Sequence, residues 1–363
     1  MKVILTGGGT MGAVNPLLAI KEKLAEQQIC SDFLWIGTKD GIEKELIAKE
    51  NVPYQAISSA KLRRYFSWRN LAAPFVLIVA FFQAIFIIKK YHPDFILSAG
   101  GFVSVPVIWA GALLNKKSII HQQDLCPGLA NKLMAPFAYK ITVAFESSLQ
   151  NFPNKKTVFT GNPVRTELFS GSKDGAIKRF NLENNLPTVL ILGGSLGAEK
   201  INELATGAIV ELIKVCQIIH VTGKGNVIEW VDREKFKNFS RYQAYEYLSE
   251  ELFDAYAAAD LVVSRAGLST LTELSVLAKP TVLIPIPDNQ QEENAKYFAG
   301  RNAAVILDQS SATALEFAHL ILDLLSNKAS LERLSQNIKE IMLANAAENF
   351  VRLIVEPSGN IDK

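Results

Sequence analysis

The residues with the clearest potential for chemistry lie between Val263 and Ala295. This stretch predicts a strand ending at Ser264, a glycine-containing turn, a helix, a second buried strand and a polar loop. In a parallel sheet, helix N-termini and the loops after strands lie at the carboxyl edge, where open α/β sheets bind ligands. A helix N-terminus attracts phosphate, and a carboxylate on the same helix accepts hydrogen bonds from a sugar diol. The stretch therefore predicts a nucleotide-sugar site. Its polar side chains are those of Ser269, Thr270, Glu273, Gln290 and Gln291.

A simpler interpretation of the same helix remains open. Thr270 and Glu273 have the Thr-x-x-Glu spacing of a capping box, in which the two side chains satisfy the helix N-terminus and need no ligand. The polar residues after the next strand, which include Asn294, favour the ligand site, because a capping box does not require them.

The composition describes a globular protein. The chain has 363 residues, of which 49% are hydrophobic and 20% charged, so two domains with ample cores are expected. A net charge of +2 gives no indication of a nucleic-acid partner. Cys30, Cys126 and Cys216 show no CxxC spacing, which fits a reducing compartment and argues against a disulfide framework or a zinc site. No leader-like segment is recognised, so we expect the chain inside the cell.

Short apolar strands alternate with amphipathic helices along the chain. This order predicts an α/β fold with two Rossmann-like, doubly wound parallel-sheet domains. The polar segment at 166–186 predicts the boundary, with an N-terminal domain at 1–165 and a C-terminal domain at 166–339. A C-terminal helix at about 340–363 is expected to return and brace the first domain.

Glycine-rich turns follow the first strand of each predicted domain. Gly7, Gly9 and Gly12 satisfy GxGxxG, and Ser195 lies in the corresponding turn of the second domain. The backbone N–H groups of such turns bind anions at the carboxyl edge, but glycines are also selected by tight turns without a ligand. The GxGxxG pattern is also typical of nicotinamide-dependent oxidoreductases, which form an alternative class. That class needs an acidic residue at the end of the second strand, and Asp40 is poorly placed for it.

A second polar cluster follows the predicted strand at 118–121, where His121 precedes Gln122, Gln123 and Asp124. A single histidine at a strand end is usually structural, with its ring satisfied by backbone partners. The polar residues directly after it, and Asn131 in the next helix, favour membership of a site at the same sheet edge.

The apolar run at 71–88 is preceded by Lys61, Arg63, Arg64 and Arg69 and followed by two lysines. Its length suits a transmembrane helix, but Pro74 and basic residues on both sides disfavour one. A fully buried helix is a second possibility. The favoured interpretation is a helix that packs on the core with one face and rests on a bilayer with the other, its basic flanks contacting anionic headgroups.

Five separated motifs resemble those of the UDP-N-acetylglucosamine transferases of peptidoglycan synthesis, in glycosyltransferase family 28. The resemblance extends over nearly the whole chain. It implies a GT-B fold, with two domains facing a cleft, and transfer of GlcNAc from UDP-GlcNAc to the undecaprenyl-linked acceptor lipid I at the cytoplasmic membrane face, giving lipid II. The motifs are GlyGlyThrMetGly near the start, GlyGlyPheValSerValPro at 100–106, HisGlnGlnAsp at 121–124, GlyAsnProValArg at 161–165, and a fifth that combines GlyGlySerLeuGlyAla at 193–198 with SerArgAlaGly and GlnGln later in the chain.

The resemblance also implies residue roles. It implies no metal or other cofactor, and the sequence shows no Asp-x-Asp ligand pair. The donor-binding residues would be Arg165, Ser195, Leu268, Ser269, Thr270, Glu273, Gln290 and Gln291. The residues that bind the acceptor and its diphosphate would be Gly9, Thr10, Met11, Gly12, Gly101 and Asn131.

The chain departs from the family pattern on the acceptor side. Met11 replaces a glycine, Ala13 replaces a histidine, and HisGlnGlnAsp stands where HisGluGlnAsn is usual. We expect His121 and Asp124 to be catalytic, with Asp124 as the general base that replaces the missing histidine. The alternative is that Asp124 only orients the acceptor. A transferase with another lipid acceptor and a catalytically weak UDP-GlcNAc-binding homologue also remain open.

Overall fold

The computed structural model describes residues 1–9, 11–41, 43–59, 68–193, 198–223, 225 and 240–356, with the side chains of 11 and 68–73 excepted. The chain divides into two compact units. Unit 1 comprises Met1–Arg165 and Leu343–Lys363, and unit 2 comprises Thr166–Met342.

Unit 1 is built on a seven-stranded parallel sheet with the order β3-β2-β1-β4-β5-β6-β7. The order reverses direction between β1 and β4, which makes this the topological switch point where such sheets bind ligands. The strands are β1 Lys2–Thr6, β2 Asp32–Gly37, β3 Tyr54–Ala56, β4 Phe95–Ser98, β5 Lys117–Gln122, β6 Lys140–Val143 and β7 Thr157–Phe159. The helices before Arg165 are α1 Asn15–Glu26, α2 Glu43–Lys49, α3 Trp68–Tyr91, α4 Ser104–Leu113 and α5 Leu129–Met134, with a 3₁₀ turn at Met11–Ala13.

Helices cover both faces of this sheet because its strands carry apolar residues on both sides. Val3 and Leu5 face a core with α1, and Ile4 faces a second core with α3 and α4. Each of these strand residues is completely buried. The alternation along β1 thus fixes which helices lie on which face.

Unit 2 repeats the design with a six-stranded parallel sheet of order β10-β9-β8-β11-β12-β13. Its switch point lies between β8 and β11. The strands are β8 Thr188–Leu192, β9 Gln217–Val221, β10 Tyr242–Tyr245, β11 Leu261–Ser264, β12 Thr281–Leu283 and β13 Val305–Ile306. The helices are α6 Lys173–Arg179, α7 Glu199–Leu212, α8 Glu251–Ala258, α9 Leu268–Val276, α10 Gln290–Ala299, α11 Ala314–Ser326 and α12 Lys328–Lys339.

The last described helix, α13 Ala346–Val355, belongs to unit 1 and packs against α1. Phe350, Val351 and Leu353 join the core beneath it. Gly161 lets the start of the helix approach closely, because a Cβ on this residue would lie 3.1 Å from the Cβ of Ala346 and 2.9 Å from that of Leu343 just before it. The same glycine has a positive φ of 78°, which other residues adopt only with strain.

Helix α3 has one buried and one exposed face. Ala80, Ala84 and Ile88 are buried in the core shared with α4. Phe75, Phe82 and Phe86 are 73%, 64% and 70% exposed. Within the described residues this is the one helix that is long and apolar enough to cross a membrane by length and composition. The prediction of a two-faced helix is confirmed, and the fully buried alternative is wrong.

The predicted α/β class with two doubly wound parallel sheets is confirmed by these topologies. Several predicted features lie outside the described residues: Thr10 and Ser195, the GlySerLeuGly part of the second glycine turn, and the basic residues Lys61, Arg63 and Arg64.

Candidate active site

The switch point of unit 1 brings two glycine turns into contact. Gly100 and Gly101 follow β4 with φ of 102° and 91°. A Cβ on Gly101 would lie 2.7 Å from the backbone oxygen of Gly8, in the turn after β1. Ser104 holds this arrangement by donating its hydroxyl to the backbone oxygens of Thr6 at 3.0 Å and Gly100 at 2.9 Å. The predicted acceptor residues Gly9 and Gly101 therefore belong to one local structure.

The Gly9 amide does not face an empty anion site. Its N–H donates to Oε2 of Glu43 at 3.1 Å. The same carboxylate accepts from the Thr38 amide at 2.9 Å and the Thr38 hydroxyl at 2.6 Å. Burial would raise the pKa of Glu43, but the bonds from Thr38 and Gly9 outweigh it and hold the pKa below its usual value. In this structure an internal carboxylate engages the Gly9 amide, and the contact of this turn with the acceptor diphosphate stays a prediction.

His121 lies inside unit 1 and is completely buried at the end of β5. Its Nδ1 bonds the Thr142 hydroxyl at 2.8 Å and its Nε2 bonds Oδ1 of Asn162 at 2.9 Å. Because Oδ1 is an acceptor, Nε2 carries the proton of a neutral ring. Burial lowers the pKa of His121 to about 4, although the bond to Asn162 acts in the opposite direction. Both nitrogens are occupied by protein groups, which favours a positioning role, and the catalytic role of His121 stays a prediction. His121 connects the 121–124 motif to the 161–165 motif.

Asn131 offers the clearest open acceptor atom in unit 1. Its Nδ2 donates to the His121 carbonyl at 3.1 Å and to Oε1 of Gln122 at 2.6 Å. A backbone carbonyl can only accept, so this pairing fixes the amide orientation. Oδ1 is then buried without a protein partner and lies 3.7 Å from the position that a Cβ on Gly100 would occupy. An unsatisfied buried oxygen favours a ligand hydroxyl or N–H over a phosphate.

Gln123 and Asp124 follow β5 toward the same edge. Gln123 donates to the backbone oxygen of Ala99 at 3.0 Å, which joins the β5 loop to the second glycine turn. Asp124 is partly buried, and its carboxylate accepts no hydrogen bond from the described residues. Burial raises the pKa of Asp124, which makes its carboxylate a stronger proton acceptor than an exposed aspartate.

The switch point of unit 2 is organised by Arg265. This residue follows β11, and its Nη1 donates to the Ile284 carbonyl at 2.8 Å and to Oε1 of Gln309 at 2.5 Å. Asn294 of α10 donates to the Ala266 carbonyl at 3.1 Å. Together these bonds hold the turn before α9 against the loops that follow β12 and β13.

Helix α9 presents the predicted donor residues. It begins at Leu268, with Gly267 as its N-cap and no side-chain cap bond. The capping-box interpretation of Thr270 and Glu273 is therefore wrong, because both lie inside the helix. Ser269 and Thr270 are partly buried, and their side chains make no hydrogen bond within the described part of the chain.

Glu273 accepts a hydrogen bond from the Tyr256 hydroxyl of α8 at 2.9 Å. Burial raises the pKa of Glu273 to about 7, with the Tyr256 bond lowering it in part. This carboxylate has one protein donor and retains acceptor capacity for a diol. Its ionisation near pH 7 makes its hydrogen bonding dependent on pH.

Gln290 and Gln291 form the first turn of α10, where Asn289 is the N-cap. The Gln291 side chain accepts from the Ile286 amide at 3.2 Å and so stiffens the loop after β12. Gln290 is exposed. Unit 2 thus collects Leu268, Ser269, Thr270, Glu273, Gln290 and Gln291 at the carboxyl edge of its sheet.

Arg165 is placed apart from that group, in unit 1. Its guanidinium pairs with Glu22 at 2.7 Å and with Glu50 at 2.9 Å. Its charge is therefore shared with two carboxylates, and its contact with the donor stays a prediction.

The model of the glycosyltransferase family 28 N-terminal domain matches residues 3–143, and that of the C-terminal domain matches residues 188–350. The chain belongs to glycosyltransferase family 28. It is 40% identical over 357 residues to UDP-N-acetylglucosamine--N-acetylmuramyl-(pentapeptide) pyrophosphoryl-undecaprenol N-acetylglucosamine transferase of Clostridium perfringens, covering 97% of both chains. The Clostridium botulinum protein of the same name is 41% identical, covering 98% of this chain and 96% of its own.

Among solved structures, the chain is similar to Acinetobacter baumannii MurG. The TM-score is 0.77 at 29% identity, covering 98% of this chain and 99% of that one. Membership of family 28 makes the GxGxxG match a feature of the transferase fold, so the nicotinamide interpretation is wrong. The described residues hold no cluster of three or more His, Cys, Asp or Glu side chains that could bind a metal ion.

Three residues make contacts at these sites that sequence patterns do not predict: Arg265, Glu43 and Tyr256. A polar residue that is tied to a neighbouring loop through space leaves no periodic signal, so only the fold could identify them.

We expect His121 to make the free energy of unfolding depend on pH. It should not determine the decrease of activity at acidic pH. The folded pKa of about 4 lies below the ordinary value of 6.5, so the neutral ring stabilises the fold fully above pH 6.5 and this contribution is lost as the pH falls toward 4. The loss amounts to at most about 3 kcal/mol. Urea unfolding of the wild type and of His121→Gln at pH 7.5 and 5.5 measures it. The variant should be less stable at pH 7.5 and show a smaller decrease on acidification. An equal decrease in both proteins would contradict the buried neutral ring.

Proposed function

We propose that the chain is an inverting transferase that moves GlcNAc from UDP-GlcNAc to the muramyl C4 hydroxyl of lipid I and so forms lipid II. The observation that carries this proposal is the match of both family 28 domains in one chain, together with 40% identity over nearly the full length to relatives whose name describes the reaction. Unit 2 has residues that suit the donor, and unit 1 has residues that suit the acceptor.

The donor half is the carboxyl edge of unit 2. The diphosphate of UDP would meet the N-terminus of α9, where the first backbone N–H groups lack partners within the helix. Glu273 would accept hydrogen bonds from the ribose hydroxyls, and Gln290 and Gln291 would contact the sugar. Arg265 and Asn294 support this arrangement by holding the turn before α9.

The acceptor half is the carboxyl edge of unit 1. Asn131 would accept a hydrogen bond from a hydroxyl or amide of the acceptor through its unpaired Oδ1. Asp124 follows the same strand and carries a carboxylate with a raised pKa. These groups suit an acceptor whose nucleophile is a sugar hydroxyl.

The chemistry is a single displacement. The C4 oxygen of the acceptor forms a bond to the anomeric carbon of GlcNAc, while the bond from that carbon to the UDP oxygen breaks and UDP leaves with the electron pair. Asp124 would take the proton of the attacking hydroxyl as general base. The dipole of the α9 N-terminus would stabilise the charge that develops on UDP.

Helix α3 supplies the contact with the membrane in this proposal. Its exposed face carries Phe75, Phe82 and Phe86, and it ends in the exposed pair Lys89 and Lys90. An apolar helix face beside basic residues suits an anionic bilayer surface. We therefore infer a peripheral location on the cytoplasmic face of the cell membrane, where a lipid-linked acceptor is accessible.

The reaction is tested by UDP release from UDP-GlcNAc with and without a lipid I analogue. We expect release to require the acceptor, and Asp124→Asn to reduce kcat by about 10²- to 10⁴-fold, because general-base catalysis contributes an effect of this size. Asp323→Asn, an exposed position in unit 2, is the matched control and should behave as the wild type. Full turnover by Asp124→Asn would eliminate the base role. Donor binding without acceptor-dependent release would eliminate lipid I as the acceptor and favour a transferase with another lipid acceptor or a homologue that only binds UDP-GlcNAc.

The donor half is tested by the pH dependence of UDP binding. Because the pKa of Glu273 is about 7, its ionised fraction increases between pH 6 and pH 8, and UDP affinity should increase with it by up to about tenfold. Glu273→Gln should bind UDP weakly, with the remaining pH dependence that of UDP itself. Tyr256→Phe removes a donor to the carboxylate, so the transition should move to higher pH. Calorimetric titration measures the UDP affinity of all three proteins as a function of pH. A pH dependence of the wild type equal to that of Glu273→Gln would count against the ribose contact.

The membrane contact is tested by flotation with anionic vesicles. Phe82→Ser combined with Phe86→Ser removes exposed apolar area from α3 and should reduce the bound fraction several-fold. Phe169→Ser makes the same chemical change at a 50% exposed position of unit 2 and serves as control. Undiminished binding of the double variant would exclude this face as the membrane contact.

A further inference from the structure

We propose that His220 is a positioning residue for the donor: through Asn202 it fixes the backbone that supports both ends of the glycine turn of unit 2, residues 193–198. This inference rests on the proposed function, because it takes UDP-GlcNAc as the donor. None of the sequence motifs assigns a role to His220 or Asn202.

His220 lies near the carboxyl end of β9 and is completely buried. Its Nδ1 is 2.8 Å from the Tyr242 hydroxyl of β10, and its Nε2 is 3.0 Å from Oδ1 of Asn202 in α7. Nδ2 of Asn202 donates to the Thr222 carbonyl, just after β9, at 3.1 Å. One imidazole ring thus connects two strands and a helix at the carboxyl edge of the sheet.

The direction of each hydrogen bond in this chain of contacts is fixed. A backbone carbonyl can only accept, so the amide nitrogen of Asn202 faces Thr222 and its Oδ1 faces the ring. Nε2 of His220 must then carry the proton, and Nδ1 accepts from the Tyr242 hydroxyl. Burial lowers the pKa of His220 to about 3, so the ring is neutral at physiological pH. A buried network with all its members satisfied in one arrangement is rigid.

Gly193, the first residue of the glycine turn, is enclosed by the backbone that this network supports. A Cβ on Gly193 would lie 3.1 Å from the Val221 oxygen and 3.2 Å from the Thr222 oxygen. The same Cβ would lie 3.1 Å from the amide nitrogen of Ala198, the N-cap residue of α7. The two described ends of the turn are therefore packed with the loop after β9, and Asn202 of α7 bonds to that same loop.

The glycine turn is the part of the donor half that this network supports. A turn at the carboxyl edge that leads into a helix offers backbone N–H groups to an anion, and the donor carries a diphosphate. Loss of His220 should therefore weaken the contact with the diphosphate. Glu273, Gln290 and Gln291 belong to other helices and should keep their own local contacts. Uridine lacks the diphosphate, so its affinity should not depend on His220.

The test compares the binding of UDP and of uridine to His220→Leu, which replaces the ring by an apolar side chain of similar volume. We expect the Kd of UDP, measured by calorimetry, to increase by about tenfold, which is the effect of losing a well-formed hydrogen bond. The Kd of uridine, measured by NMR titration, should not change. Tyr242→Phe removes only the hydroxyl bonded to Nδ1 and should increase the Kd of UDP by a smaller factor.

The matched control is Gln217→Leu. Gln217 is a buried polar residue at the amino end of the same strand, where its side chain donates to Glu183, Leu186 and Thr188. Its replacement should lower the free energy of unfolding, as the replacement of His220 should. Because Gln217 lies at the sheet edge opposite to the donor half, the Kd of UDP should equal that of the wild type.

The outcomes separate this inference from the proposed function. If the wild type binds no UDP, the donor half of the proposed function fails. If the wild type binds UDP and His220→Leu binds it equally well, the inference fails. Equal losses of UDP and uridine affinity in His220→Leu, or an equal loss of UDP affinity in Gln217→Leu, would assign the effect to the stability of unit 2 and would also overturn the inference. Should His220→Leu not fold, Tyr242→Phe alone decides.

Discussion

The reversal of strand order in each parallel sheet is the constraint on which both halves of the site depend. In unit 1 it separates β1 from β4, and in unit 2 it separates β8 from β11. Helices on opposite faces diverge at that point, so the loops after the two strands border a crevice. The backbones must approach closely there, as Gly8 and Gly101 do. Apart from Arg165, the residues assigned to substrates follow strands at or next to one of these two switch points.

Much of the fold followed from the alternation of apolar strands and amphipathic helices, since burial on both faces of a parallel sheet leaves a strong pattern. The exposed face of α3 is predicted because the apolar run is as long as a transmembrane helix, while Pro74 and the basic residues on both sides disfavour one. The site was predicted less completely. Glu273 is predicted from the fifth motif and Asn131 from its position in the helix after the 121–124 motif, and the structure adds their partners and their open acceptor atoms.

Two predicted site groups have protein partners that the sequence does not indicate, for a common physical reason. His121 and the Gly9 amide were assigned to substrates because their types suit substrate chemistry, but each is satisfied by a residue distant in sequence. Asn162 lies 41 residues from His121, and Glu43 lies 34 residues from Gly9. Sequence reasoning evaluates a residue by its neighbours along the chain. A buried polar group is satisfied by its neighbours in space, so these assignments required the fold.

The buried and partly buried carboxylates differ in how many hydrogen bonds the protein donates to them. Glu43 accepts three good hydrogen bonds, and its pKa is lowered in spite of burial. Glu273 accepts one and Asp124 none from the described residues, and burial raises the pKa of both. A buried carboxylate that already accepts several hydrogen bonds from the protein gains little from a ligand. A buried carboxylate with few such bonds gains hydrogen bonds when a ligand hydroxyl binds. By this criterion Glu43 belongs to the framework of the acceptor half, and Asp124, Glu273 and the unpaired oxygen of Asn131 are the groups that the substrates complete.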